Sequence, residues 1–186
     1  MVLLALAVLI FVFIQLLPFV PDVADRLAGP LGAGAGPVYG AATAASLLLM
    51  IAAWRASPAI PLYDPPLLSR IAGFISVLLA FISFGIFLFR GRLRQIVRWP
   101  WPLAIVLLAL GHLLTLGDLA GVVLFGGLLV YGMALIMLSW QREARPSPDW
   151  RAGHDLLSVL AGVALYGVTA QLHGIVAGVP VVALSP

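Results

Sequence analysis

The amino-acid sequence predicts an all-α protein, a polytopic transmembrane helical bundle. Of its 186 residues, 63% are hydrophobic and only 9% are charged. That is more apolar surface than the core of a soluble domain of this size needs. Apolar runs of about 20 residues also recur, which is the length that crosses a bilayer core of roughly 30 Å. We therefore expect one membrane domain over residues 1–186, with the lipid bilayer as its surroundings.

Six membrane spans are predicted from these runs. The first is expected to remain as a helix, since it has neither a basic start nor the small-residue cleavage site of a signal peptide. Only Gly117 and Asp118 separate the short fourth span from the fifth, which predicts a helical hairpin with Asp118 capping the fifth helix. The glycine-rich segment 29–37 is predicted to be a flexible loop. The spans lie near residues 2–20, 38–54, 67–89, 102–116, 119–140 and 156–179.

The orientation of the chain is predicted from its arginines, which supply all ten basic residues. The loops on one side carry only Arg55 and Arg70, and the other arginines lie in the loops after the first, third and fifth spans. The positive-inside rule places that second group in the cytoplasm, so both termini are expected outside it. The group comprises Arg26, Arg90, Arg92, Arg94, Arg98, Arg142, Arg145 and Arg151.

The composition also excludes several functions. There is no cysteine, so disulfides, thiolate catalysis and cysteine-ligated metals are excluded. Membrane topology accounts for the net charge of +3, and we expect no nucleic-acid partner. The spans lack the buried carboxylates that an ion-coupled transporter would need.

His112 is the most informative polar residue within the predicted spans. It lies about ten residues into the fourth span, roughly 15 Å along a helix, which predicts a place near mid-depth. Imidazole is a good iron ligand, and Gly111 beside it leaves room for a flat cofactor or another helix. The alternative is a structural histidine, hydrogen-bonded to Thr115 or to a neighbouring helix.

Two further polar residues are candidates for a site. His173 lies on the sixth span, on the same helical face as Tyr166. It is either a second ligand or an interfacial histidine with access to water. Gln15, late in the first span, is expected to hydrogen-bond across helices, either to a bound molecule or as a structural contact.

Other residues are expected to have structural roles. We interpret Met133 and Met137 as packing residues rather than haem ligands, and His154 as a solvated loop residue. Small residues four apart are expected at close helix contacts. These pairs are Ala41 with Ala45 and Gly174 with Gly178.

The segment from 96 to 132 resembles the NnrU family of bacterial membrane proteins, which is related to the zeta-carotene isomerase of plants and cyanobacteria. The first loop is similar too, through Arg26, Leu31, Gly32 and Tyr39, as is the segment 165–182, so the resemblance covers nearly the whole chain. The residues that match in the central block are Arg98, Pro100, His112, Leu113, Leu114, Gly117, Asp118, Leu124, Phe125 and Gly126.

The resemblance implies a six- or seven-helix bundle of the bacterial cytoplasmic (inner) membrane, linked to denitrification and nitric oxide metabolism. In the isomerases, haem b is held by histidines that look like a first-span residue and the counterpart of His112. Here Gln15 replaces the first of these, Trp99 replaces another family histidine, and Leu116 replaces an asparagine. The resemblance therefore leaves three alternatives: haem held by His112 alone, haem held by His112 with His173 or a methionine, or no haem.

Two functions are compatible with these features. The first is an enzyme with an isomerase-like or nitrogen-oxide-linked redox role, using haem b on a lipophilic small molecule, a polyene such as a carotenoid. Its expected site residues are His112, His173 and Gln15. The second is a non-catalytic scaffold or accessory subunit of a membrane complex with a decayed haem site, which Gln15 and Trp99 favour.

Overall fold

The protein is a bundle of helices. A computed structural model describes residues 1–141 and 149–178, and this part of the chain contains no β-strand. The all-α prediction is therefore confirmed. The helices are α1 (Val2–Leu16), α2 (Pro21–Leu31), α3 (Ala35–Arg55), α4 (Leu67–Leu88), α5 (Leu93–Ile96), α6 (Pro100–Thr115), α7 (Leu119–Gln141) and α8 (His154–Ala177).

Five segments are long and apolar enough to cross a membrane, namely Val2–Phe19, Gly32–Arg55, α4, α7 and α8. Most of their side chains are not buried within the protein, so their apolar surface is available to lipid. The protein is thus a multi-pass membrane protein. With 16 residues, α6 is shorter, about 24 Å against a bilayer core of roughly 30 Å. The count of six spans therefore stays a prediction.

The region between the first two spans differs from its prediction. Segment 29–37 is helical rather than a loop: it contains the end of α2, the 3₁₀ turn Gly32–Gly34 and the start of α3. Gly32 takes a left-handed conformation with φ of 52°, which lets the chain turn between α2 and α3. The second span consequently begins earlier than residue 38.

The helices pack in two groups that meet along α6 and α7. One group contains α1, α3 and α7, and the other contains α4, α6 and α8. The first group has a core of small and aliphatic side chains, including Leu4, Ala7 and Leu124. The adjacent antiparallel pair α6 and α7 confirms the predicted hairpin.

Close contacts between helices depend on glycines other than the predicted pairs. A Cβ added to Gly111 of α6 would lie 2.8 Å from the carbonyl oxygen of Gly73 in α4. A Cβ on Gly85 of α4 would overlap the Ser158 carbonyl of α8. One on Gly162 of α8 would lie 2.6 Å from the Cα of Ile82 in α4. By contrast, Ala41, Ala45, Gly174 and Gly178 are exposed, so the prediction of close contacts at those four positions was wrong.

One end of the bundle is closed by the loop between α3 and α4. Leu62 donates its backbone N–H to the Gly117 carbonyl at 2.7 Å, and the Tyr63 hydroxyl donates to the Leu113 and Leu116 carbonyls. These contacts satisfy carbonyl groups that the end of α6 leaves free. The Asp118 carboxylate accepts the Gly121 N–H at 2.7 Å, which confirms the predicted cap of α7.

The opposite end joins the segment after α4 to the start of α8. Arg151 donates its backbone N–H to the Arg90 carbonyl at 2.8 Å, and Arg90 donates its own to Nδ1 of His154 at 3.1 Å. His154 is therefore engaged with the chain rather than simply solvated, because it begins α8 and packs edge-on against Phe89. Of the residues used to predict orientation, Arg142 and Arg145 lie outside the described part of the chain, as does the end of the sixth span at Val179.

Candidate functional site

His112 lies in the last turn of α6, three residues before that helix ends. The helix runs from Pro100 to Thr115, close to the predicted fourth span, and the place of His112 near mid-depth stays a prediction. The Nδ1 atom lies 2.8 Å from the Leu108 carbonyl oxygen. Since a carbonyl only accepts, Nδ1 carries the proton and Nε2 keeps the lone pair that binds a metal.

The hydroxyl of Thr115 does not hold the imidazole of His112. It donates to the backbone carbonyls of Gly111 and His112, both at 3.1 Å. The room beside Gly111 is filled by Gly73 and Val77 of α4. Of the two uses considered for Gly111, the structure therefore shows the approach of another helix.

An aromatic side chain of α7 fixes the plane of the His112 ring. Phe125 stacks on it with ring centroids 4.0 Å apart and planes 12° apart. Phe125 in turn meets Trp54 of α3 edge-to-face at 6.1 Å. The sequence identified Phe125 only as part of the Leu-Phe-Gly that resembles the family, and that motif does not indicate stacking on His112.

His173 of α8 lies next to His112. Their ring centroids are 6.3 Å apart and their planes differ by 20°. The end of α8 is held in place because Trp54 Nε1 donates to the Ala177 carbonyl at 3.1 Å and Arg55 donates to the Ile175 carbonyl at 2.7 Å. The structure thus brings together two of the three predicted site residues, from helices far apart in the sequence.

The separation of the two imidazoles can be compared with that of two ligands on one metal. If a nitrogen of each ring faced a shared metal, bonds of about 2.0–2.1 Å plus about 1.2 Å from each nitrogen to its ring centre would place the centroids about 6.4 Å apart. The observed distance is 6.3 Å. No group of three or more potential ligands among His, Asp and Glu occurs in the described residues. Two imidazoles suit haem better than a bare ion, because a porphyrin supplies the other four ligands itself.

Gln15, the third predicted site residue, belongs to a separate polar cluster. Its side-chain oxygen accepts the Thr43 hydroxyl at 2.9 Å and the Tyr39 hydroxyl at 3.1 Å. Tyr131 of α7 lies beside this side chain. Tyr131 lies six residues beyond Phe125, about 9 Å along α7, so the cluster and the histidine pair meet α7 at different levels.

Other residues considered as ligands lie elsewhere. Met133 and Met137 are 49% and 63% exposed on α7, which agrees with their exclusion as ligands and places them on the lipid side of the bundle rather than in packing contacts. Tyr166 packs edge-on against Phe81 of α4. Trp99 packs against Trp140 with ring centroids 5.5 Å apart and planes tilted by 35°, near the opposite end of the bundle from the histidine pair.

An apolar groove lies one turn from His112, between α4 and α6. Its volume is about 140 Å³ and no polar surface lines it. Leu108, whose carbonyl holds the His112 ring, is one of its lining residues. The lining residues are Ala80, Phe81, Phe84, Trp101, Ala104, Ile105 and Leu108.

The fold and the site define a class: a multi-pass α-helical membrane protein with paired histidines at one end of its bundle. The family model described as NnrU protein matches residues 3–181. The chain belongs to the NnrU family, so the resemblance noted in the sequence is confirmed. No curated protein and no solved structure matches the chain significantly.

Proposed function

We propose that this NnrU family protein binds haem b through His112 and His173. One observation carries the proposal: two nearly parallel imidazoles from α6 and α8, with centroids 6.3 Å apart. Polar side chains are costly at membrane depth, so two converging imidazoles are better explained by a ligand than by chance.

The surrounding residues prepare His112 for this role. The Leu108 carbonyl holds the tautomer in which Nε2 is the ligand, and a hydrogen bond of this kind also makes the imidazole a stronger base. Phe125 restricts the rotation of the ring. Tyr63 donates to carbonyls at the end of α6 and so helps to fix the turn that carries His112.

Bound haem would supply an iron centre for redox chemistry or for isomerising a lipophilic polyene such as a carotenoid. The groove between α4 and α6 is apolar, but its volume of about 140 Å³ would hold only part of such a substrate, since ligand pockets usually measure about 300–1,000 Å³. It reaches the site only at Leu108, one turn before His112. The proposal places the protein in the bacterial inner membrane, with the arginine-rich end in the cytoplasm.

The departure at Gln15 does not weaken the proposal, because His173 supplies a second imidazole from α8. Gln15 has its own hydrogen-bond partners on α3, which gives it a structural reason to be present. The same observation also supports the alternative, a scaffold or accessory subunit that retains the family fold without haem.

An absorption spectrum of the purified full-length protein, expressed with ample haem, tests the proposal. We expect a Soret band in the wild type and its loss in His112→Ala. In His173→Ala we expect haem to stay at lower occupancy, with the low-spin electron paramagnetic resonance signal of two imidazoles replaced by a high-spin one. His154→Ala is the matched control, since that histidine lies at the other end of the bundle.

Two outcomes would contradict haem binding by this pair. One is a folded wild type that stays colourless with haem in excess, which would favour the scaffold, as would co-purification of a stoichiometric membrane partner. The other is a Soret band that survives in the His112→Ala, His173→Ala double variant.

A further inference from the structure

Four arginines lie among the nine residues from 90 to 98, shortly after the end of α4. This segment is at the end of the bundle opposite the histidine pair. We name them the arginine platform: Arg90, Arg92, Arg94 and Arg98. Neither the haem site nor the family match assigns a function to them. Topology alone explains their side of the membrane, but not the way in which the structure arranges them.

The backbone of the platform is fixed against α8 by three hydrogen bonds. Two of them join Arg90 to Arg151 and to His154. The third runs from the Leu93 N–H to the Asp155 carboxylate at 2.8 Å. Gly91 lies directly against Asp155, where a Cβ would overlap the carboxylate. The platform is therefore a preorganised surface rather than a loose loop.

Three of the guanidinium groups lie over aromatic rings. Arg92 lies 4.4 Å from the ring centroid of Trp150, Arg98 lies 4.8 Å from that of Trp99, and Arg94 lies 5.6 Å from that of Phe87. Stacking orients a guanidinium while leaving the N–H donors in its plane able to bind an anion. Tryptophan rings also favour the headgroup level of a bilayer, which places these charges there.

The carboxylates near the two ends of the bundle make different contacts. At the platform, the carboxylate of Asp155 accepts the backbone N–H of Leu93. At the other end, Asp64 forms an ion pair with Arg70. Guanidiniums oriented by aromatic rings and held at headgroup level suit an anionic partner from outside the chain.

We propose that the arginine platform is a binding site for the phosphodiester headgroups of anionic phospholipids in the facing leaflet. Lipid is the occupant because the platform continues directly from α4, an apolar helix whose surface is open to acyl chains. One lipid can therefore bind with its phosphate at the guanidiniums and its chains along the helix. Planar guanidiniums bind phosphate oxygens in pairs, so arginine should bind better here than lysine.

Native mass spectrometry of the delipidated full chain in detergent tests this site, with phosphatidylglycerol and phosphatidylcholine as probes. Wild type should bind phosphatidylglycerol preferentially. The triple variant Arg92→Gln, Arg94→Gln, Arg98→Gln should bind it about tenfold or more weakly. Replacing the same three by lysine should give an intermediate affinity. The control, Arg55→Gln with Arg70→Gln at the other end, should bind within about twofold of wild type.

Three results would overturn the proposal: equal binding of both lipids by wild type, a triple glutamine variant indistinguishable from wild type, or displacement of the lipid by millimolar inorganic phosphate. The last would identify a site for free phosphate instead. If size-exclusion chromatography shows that the triple variant is misfolded, Arg92→Gln alone is compared with Arg70→Gln. These two variants remove the same charge at opposite ends of the bundle, and equal lipid binding by both would equally reject the site.

Discussion

At the scale of single residues, the environment of His112 shows what a sequence can and cannot reveal. An imidazole in an apolar run is visible as a candidate ligand from residue type alone. Its neighbour His173 lies 61 positions later in the sequence. Only the packing of α6 and α8 against α4 brings the two histidines together. The stacking by Phe125 has the same origin, so neither contact could be derived from local spacing.

The glycine contacts were the clearest failure at this scale. Spacing of small residues predicted close approach at Ala41 with Ala45, but both are exposed. In a membrane helix every face is apolar, so hydrophobicity does not distinguish the face that packs from the face that meets lipid. The glycines that do allow close approach, such as Gly85, became evident only from their neighbours.

We expect Gly85→Ala to destabilise the protein and Gly167→Ala to leave it unchanged or slightly more stable. At Gly85 the new methyl group would overlap the Ser158 carbonyl, and separating α4 from α8 should cost about 1–3 kcal/mol. At Gly167 of α8 a Cβ would meet nothing within 4 Å, and alanine favours a helix over glycine by about 0.5–1 kcal/mol. Thermal unfolding in detergent, followed by size-exclusion chromatography, compares the two. Equal unfolding temperatures would show that the close contact is unimportant.

At the scale of the helices, the sequence located the spans well and their termini less well. The apolar runs are long, so the five helices that they predict are confirmed in position. The helix α2 was missed, because Pro30 lies inside it and its end falls in the glycine-rich segment 29–37, and both lower helix propensity. The cap of α7 by Asp118 was predicted correctly, because capping depends only on the local sequence.

We expect Asp118→Ala to loosen the first turn of α7, while Asp118→Asn keeps it intact. The carboxylate of Asp118 accepts the Gly121 N–H at 2.7 Å. Loss of such a cap costs about 0.5–2 kcal/mol, and asparagine caps nearly as well as aspartate. Hydrogen–deuterium exchange of the peptide that covers this turn measures the effect. Faster exchange in both variants would assign the effect to the lost charge rather than to the cap.

At the scale of the whole molecule, the distribution of arginines agrees with the contacts between loops. Arg90 and Arg151 are joined at one end of the bundle, while Pro61 pairs with Asp118 at the other. Successive loops therefore lie at opposite ends of the bundle in the order that six spans predict. It requires α6 to connect the two ends, although α6 is shorter than a bilayer core.

The shortness of α6 has a structural explanation. Tyr63 and Ser69 donate hydroxyls to carbonyls at its end, so the loop from α3 and the start of α4 complete the layer that α6 does not reach. Backbone groups at this depth are then satisfied by protein rather than by lipid. Under these conditions the 16 residues of α6 would be sufficient for the predicted fourth span.

Labelling of introduced cysteines tests both the span count and the orientation, because the natural chain contains no cysteine to interfere. We expect a membrane-impermeant maleimide to label Ala59→Cys in intact spheroplasts. Ile96→Cys and Ala152→Cys should react only after permeabilisation, as predicted from the arginine-rich end facing the cytoplasm. Ile96 is 76% exposed, so failure to label would reflect its side of the membrane rather than burial.

The comparison between Ile96→Cys and Ala152→Cys decides whether α6 crosses the membrane. If it crosses, α6 and α7 together return the chain to the same side, and the two positions react alike. If α6 only enters and leaves on one side, Ala152→Cys will react in intact spheroplasts while Ile96→Cys does not. The hydrogen bond from Arg151 to Arg90, which joins the loops that carry these probes, favours the first outcome.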